Sequence, residues 1–410
     1  MVTYPKEWKR KLFKDFLKIK RGASPRPIES YLTESTDGVN WIKIGDAPRY
    51  GKYIISTMEK ITPEGASHSV SVYPGDFILS NSMSFGRPYI LNIDGCIHDG
   101  WLRLYDFQAE ANDEFLYYLL SSKYVQRQYE AFAAGSGVQN LNKEVVKKVV
   151  VFLPPLSEQE RIAKTLSNFD SHIDNLTALI EKKKAIRDGA LADLMSGRTR
   201  LAGFNGDWKK YQFDKYFSLL KNNTLSRDKL SVSGNVGNVH YGDVLIKYGD
   251  VLSDKDEIPR IKDDIYVSED NYLQTNDVII ADTAEDEAVG KVVQVGKVSI
   301  PLVSGLHTVA CRPLYETAAG FLGYYMNSAQ YHDQLYQYIT GIKVSSVSKK
   351  SLYKTILTIP SDLKEQEAIV QVLISMDEEI QNLEKERDKI MQIREGTMDD
   401  LLTGRVRLPM

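Results

Sequence analysis

Residues 156–201 read LSEQERIAKTLSNFDSHIDNLTALIEKKKAIRDGALADLMSGRTRL, and residues 363–408 read LKEQEAIVQVLISMDEEIQNLEKERDKIMQIREGTMDDLLTGRVRL. Aligned without a gap at a shift of 207 positions, the two stretches agree at 20 of 46 places. Ordinary composition would give about 3 such agreements by chance. The chain therefore carries an internal repeat, and the repeat decides how the rest is read.

Each copy reads as one long helix. Apolar residues recur at Ile162, Leu166, Phe169, Ile173, Leu176 and Ile180, alternately four and three apart, and again at Ile369, Leu373, Met376, Ile380, Leu383 and Ile390. A period of 3.5 marks a coiled-coil seam. Arg187 and Arg394 fall on its extension. Packing in an ordinary helical bundle is the plainer alternative. Ser157 with Glu160, and Asp362 with Glu365, have the spacing of capping boxes. Gly197 and Gly404 supply C-terminal stops. Helices of about 40 residues span about 60 Å and outrun a domain of ordinary size. Two with matched seams are expected to bury them on each other, antiparallel if the repeats are related by a pseudo-twofold.

The repeat also shows in the flanking blocks. Trp8 and Phe13 match Trp208 and Phe213, Phe115-Leu116 matches Phe321-Leu322, and Pro154 matches Pro360. Four segments follow: a variable block over 1–155, a helical spacer over 156–207, a second variable block over 208–362 and a second spacer over 363–410. Joining the end GRVRLPM to the start MVTYPKEW would recreate the junction GRTRLAGFNGDW, so residues at the two ends are expected to lie close together. Within each block, runs such as WIKIGD, YIIS and DFILS, or DVLIKYGDVLS, DVIIAD and KVVQVGKVSIPLVS, read as strands. A helical window then covers 114–132 or 320–338, and Asn142 and Ser348 are placed to cap a short helix. The fold class is α+β: two mainly-β domains joined by two long antiparallel helices forming a coiled coil.

The chain has 410 residues, 42% hydrophobic and 26% charged, as expected of a soluble multidomain protein. No apolar run reaches the ~20 residues of a membrane span. Cys96 and Cys311 stand alone and far apart, which argues against a disulfide framework or a paired-cysteine zinc site and fits a reducing, cytoplasmic setting. The formal charge of −3 conceals a division: residues 1–155 carry +3 and residues 363–410 carry −4. Nine basic groups crowd residues 1–27, where a local patch can meet phosphate.

Catalytic signatures are missing. The sequence has no Walker A loop, no GxGxxG and no HExxH, and its six histidines are scattered. His98 and His307 read as polar strand residues, and the run from Asp282 to Lys291 as a solvated acidic loop. Polar and basic loops between strands are the better signal, because Arg, Asn, Gln and Ser read base edges while Lys and Arg neutralise phosphate. The DNA-contact candidates in the first block are Lys20, Arg21, Arg26, Asn81, Ser82, Ser84, Arg87, Ser136, Gln139 and Asn140. In the second they are Asn222, Asn223, Thr283, Lys343, Ser345 and Ser346. No catalytic or metal-binding residue is assigned.

The runs LPPLSEQERIAKTLSNFDSHID at 153–174, IPSDLKEQEAIVQVLISMDEEI at 359–380, GSGVQNLNKE at 135–144 and the endings MSGRTRL and LTGRVRL resemble the specificity subunit of a type I restriction–modification system. The resemblance covers the whole chain; Pro-Ser-Asp-Leu-Lys departs from Pro-Pro-Leu-Ser at the second helix entry. It implies a non-catalytic subunit that reads a bipartite, asymmetric double-stranded DNA site. It also implies two modification (methyltransferase) subunits and restriction–translocation subunits as partners, and no membrane. S-adenosylmethionine, ATP and Mg²⁺ would sit on those partners, with no cofactor on this chain. A self-sufficient DNA methyltransferase or nuclease would instead bind S-adenosylmethionine itself. A structural coiled-coil adaptor would show no salt-dependent DNA binding.

Overall fold

The computed structural model describes residues 4–48, 51–81, 85–133, 141–285, 288–341 and 344–409. It divides into two compact units: residues 1–177 with 385–410, and residues 178–384. The divisions fall inside the two long helices, Leu156–Ser196 and Leu363–Thr403, not at the block boundaries read from sequence. Each unit thus contains one variable block, the first part of its own helix and the last part of the other.

In the first unit, one five-stranded sheet has the order Lys18–Arg21, Trp101–Tyr105, Phe77–Ser80, Pro88–Leu91, Tyr53–Ile54. A second has the order Leu32–Thr33, Glu59–Ile61, Val39–Ile42, Gly95–Ile97, Val70–Val72. Phe77 and Leu79 face a core shared with the helices, while Ile78 faces a second core with Ile42, Ile97 and Trp101. A strand buried on both faces needs a continuous apolar run, which is why FIL does not alternate. Lys9–Leu12 pairs antiparallel with Val150–Leu153 and closes the block.

The second unit repeats this plan. Its larger sheet has the order Phe217–Leu219, Thr308–Pro313, Val278–Ala281, Val292–Val295, Val251–Leu252. Val278 and Ile280 face the helix-side core, and Ile279 and Ala281 the other. Trp208–Gln212 pairs with Ile356–Pro360.

Three local expectations are corrected. The window over 114–132 is two helices, Asp113–Ser121 and Lys123–Ala133, and its counterpart is Phe321–Asn327 and Ala329–Tyr336. Ser122 and Ser328 adopt extended backbone at the breaks, and each hydroxyl donates to a carbonyl of the preceding turn. DVLIKYGDVLS begins as the helix Tyr241–Ile246, because the His240 ring accepts the Gly242 N–H and starts a turn there. The first capping box fails: the long helix starts at Leu156, and Glu158 and Gln159 are buried. In the second, Asp362 accepts the Lys364 N–H, but Glu365 turns to Arg200. The caps at Asn142 and Ser348 form, and Gly197 and Gly404 stop the long helices with φ of 71° and 70°.

The helix pairing is antiparallel within each unit. In the first, Ile162 and Leu166 share a core with Met398, Leu401 and Leu402; in the second, Ile369 and Leu373 share one with Leu194 and Met195. These outer seam positions also pack into the core of each variable block, so they are not purely helix-to-helix contacts. Leu176, Ile180 and Ile380 are buried as well. Phe169, Ile173, Met376, Leu383 and Ile390 are only partly covered. Residues near the two ends meet: an ideal Cβ on Gly404 would lie 2.5 Å from Pro5, and Arg407 reaches Glu7 at 3.4 Å.

Candidate nucleic-acid interface

In the first unit, the strand Lys18–Arg21 delivers its last residues beside the turn 98–100. Gly22 passes so close that a Cβ there would lie 2.0 Å from the His98 carbonyl oxygen. The Arg21 Nε–H donates to the Asp99 carbonyl at 3.1 Å, the Ser24 hydroxyl to the Asp99 carboxylate at 2.9 Å, and Arg26 lies 3.5 Å from that carboxylate. Asn81 donates to the Asp99 carbonyl at 2.7 Å and accepts the Leu141 N–H on its own carbonyl at 2.9 Å. Buried with its amide committed to backbone, Asn81 joins the loops and is removed from the set facing solvent. Lys20, Arg21 and Arg26 are exposed, and Arg87 stands 5.1 Å from the ring centre of Tyr89.

His98 is a turn residue rather than a strand residue. Burial lowers its pKa below the usual imidazole value, against the pull of Asp99 and Asp46. Both ring nitrogens face backbone amides, Gly100 at 2.8 Å and Ile44 at 3.2 Å, an environment that disfavours a second proton.

Equivalent loops converge in the second unit with different chemistry. The Asp282 N–H donates to the His307 carbonyl as Asn81 does to Gly100, and the Val347 N–H donates to Asp282 as Leu141 does to Asn81. Thr283 pairs across a short ladder with Ser346, and Ala284 with Ser345. The Thr283 hydroxyl donates to Asp282 at 2.8 Å and lies 3.4 Å from His307 Nδ1. His307 takes a positive φ of 55° and meets Tyr241 edge-on at 5.2 Å. Asn222 reaches Gly305 at 3.5 Å, while Asn223 is spent on Asn238 and Ser304. Where the first unit has Arg87, the second has Lys291, whose ammonium donates to the Leu245 and Tyr248 carbonyls and faces inward.

The structure therefore gathers Arg21 and Arg26 around Asp99, with Lys20 exposed on the same strand as Arg21, and Asn222, Thr283, Ser345 and Ser346 near His307. Ser82, Ser84, Ser136, Gln139, Asn140 and Lys343 lie outside the described residues. His98, Asp99, Tyr241 and His307 were not among the contact candidates; the blocks do not repeat there, and only the antiparallel register brings them in. Among the described residues, no group of three or more His, Cys, Asp or Glu side chains is placed to hold a metal ion, and no helix is long and apolar enough to cross a membrane.

Residues 5–185 match the family described as the type I restriction modification DNA specificity domain. The type I restriction enzyme MjaVIII specificity subunit of Methanocaldococcus jannaschii is 22% identical over 99% of this chain and 95% of its own length. Over nearly its whole length the chain is similar to type I restriction specificity subunits, and residues 5–185 match their DNA specificity domain. This similarity supports DNA recognition as its function. The fold agrees: a chain from a structure on complex assembly and conformational transition of the type I R-M system matches with a TM-score of 0.63 at 16% identity, over 98% of this chain and all of that one. The HsdS subunit from Thermoanaerobacter tengcongensis matches with a TM-score of 0.51 at 16% identity, over 98% of each chain.

Proposed function

We propose that this specificity subunit reads a split, asymmetric site on double-stranded DNA, one half with each unit, and makes no bond itself. The observation that carries the reading is the pair of loop clusters on one repeated scaffold. Arg21 and Arg26 stand around Asp99 in one unit, and the hydroxyl of Thr283 stands between His307 and Asp282 in the other. Similar scaffolds place the two sets in comparable settings, and different side chains ask for different base edges. Lys20 and Arg26 supply phosphate contacts in this scheme, and Thr283 and Ser346 hydrogen bonds. Two modification subunits would dock on the duplicated surfaces, with restriction–translocation subunits completing the nuclease in the cytoplasm. S-adenosylmethionine, ATP and Mg²⁺ belong to those partners in this reading.

The test is methylome mapping in cells carrying this chain and its partner methyltransferase. Methylated adenine in one split motif is expected, and exchange of residues 208–362 for another recognition domain should change one half of it only. Methylation that does not depend on this chain would overturn the reading.

A further inference from the structure

The repeated helices carry a polar device that the apolar seam does not explain. In the first unit, Arg394 Nε donates to Asp170 at 2.5 Å and the Tyr118 hydroxyl donates to the other Asp170 oxygen at 2.6 Å. In the second unit, Arg187 Nε donates to Asp377 at 2.9 Å and the Tyr324 hydroxyl to its other oxygen at 2.7 Å. Each arginine lies 5.7 Å from the ring centre of its tyrosine. Asp170 and Asp377 are repeat equivalents, as are Arg187 and Arg394. Each cluster therefore ties three elements: a helix of the recognition domain, the entry half of one long helix and the exit half of the other.

Apolar contacts around Ile162, Leu166, Met398 and Leu401 hold these elements together without fixing an angle, because such contacts are non-directional. A carboxylate shared between a guanidinium and a phenol is directional. Sliding the helix that carries the carboxylate by a turn would break both bonds, and sliding the helix that carries the arginine would break the guanidinium bond.

The two clusters are not equally braced. Arg187 has a second carboxylate, Asp250, at 2.9 Å, itself held by the Asn327 amide at 2.7 Å. In the first unit the residue before the matching edge strand is Lys52, which pairs with Glu114 instead.

We propose that Tyr118–Asp170–Arg394 and Tyr324–Asp377–Arg187 are positioning residues that fix the orientation of each recognition domain on its own helices, and through it the separation of half-motifs the protein accepts. The first clamp, with a single carboxylate, is the more easily loosened. This inference rests on the split-site reading above.

The experiment uses the assembled methyltransferase with full-length subunit, and DNA in which the two half-motifs are moved one base pair closer or further apart. Tyr118→Phe and Tyr324→Phe each remove one hydroxyl. Both should keep methylation at the native spacing and raise relative methylation of the altered spacings, Tyr118→Phe by about ten-fold, as befits one lost bond to a carboxylate, and Tyr324→Phe by less. Asp170→Arg alone should abolish discrimination between spacings, and Asp170→Arg with Arg394→Asp should restore it. Unchanged discrimination in both phenylalanine variants, whatever happens to their melting temperatures, overturns the proposal, because a merely structural role lowers stability alone. An unaltered parent that methylates no split motif would overturn the reading beneath it as well, and is distinguished by that control.

Discussion

Glu158 and Gln159 show how much a two-residue motif can do. Gln159 accepts the Asn112 N–H at 2.8 Å and donates to the Glu110 and Pro154 carbonyls, each at 2.9 Å. Gln366 likewise serves Thr317, Ala318 and Pro360. Glu158 takes Arg407 at 2.8 Å, and Glu365 takes Arg200 at 2.7 Å. The repeated E-Q is therefore the joint between helix start and recognition domain, which the capping spacing did not convey. His98 gives a residue-scale prediction. Its folded pKa lies below the 6.5 of a free imidazole, so its stabilising contribution is complete above that value and is lost as pH falls through the folded pKa. Between about pH 7 and 5 the melting temperature should fall more in the parent than in His98→Gln, read by calorimetry. Equal slopes would show that His98 is not the group responsible. Asp99, Asp46 and Lys43 surround the ring and are unchanged in that comparison.

At the scale of elements, each long helix has 41 residues and is amphipathic only in part. Its entry turns are buried by the recognition domain and the opposing helix; its middle turns are laced with ion pairs, such as Lys183–Glu379 at 2.6 Å and Lys184–Glu384 at 2.8 Å. Exposed pairs of this kind contribute little individually, so the entry turns carry the stability. Leu166 is wholly buried. Leu166→Ala should cost about 2–5 kcal/mol, measured by urea denaturation, whereas truncating half-exposed Met391 should cost far less. A similar loss at both sites would contradict this division. The strand segments were legible wherever both faces are buried, as at Phe77–Ser80 and Val278–Ala281. Tyr241–Ile246 was not, because a short apolar run is compatible with either structure and the His240 cap decided it.

For the whole molecule, net charge is a poor guide to partner. The chain is slightly acidic, yet Lys20 and Arg21 at the end of a strand and Arg26 in the loop that follows are all exposed in the first unit. Binding of the assembled complex to its DNA should weaken steeply with salt. Lys20→Ala with Arg26→Ala should lower affinity for all sequences alike and reduce the slope of log K against log salt by about 2. An unchanged slope would place the phosphate contacts elsewhere.

The sequence by itself determined the repeat, the α+β class, the length and stops of both helices and the absence of a familiar catalytic motif. These depend on local periodicity and on comparing the chain with itself. Tertiary structure alone decided which loops meet. Asp99 joins Arg21 and Asn81, and His307 joins Thr283, through strand register between residues 18 to 78 positions apart. It also decided that each compact unit takes half of both helices, since Asp170 finds Arg394 and Asp377 finds Arg187 only when the chain folds back antiparallel. Hydrogen bonds and ion pairs act over a few ångströms, and a spacing of some two hundred residues in sequence carries no record of them.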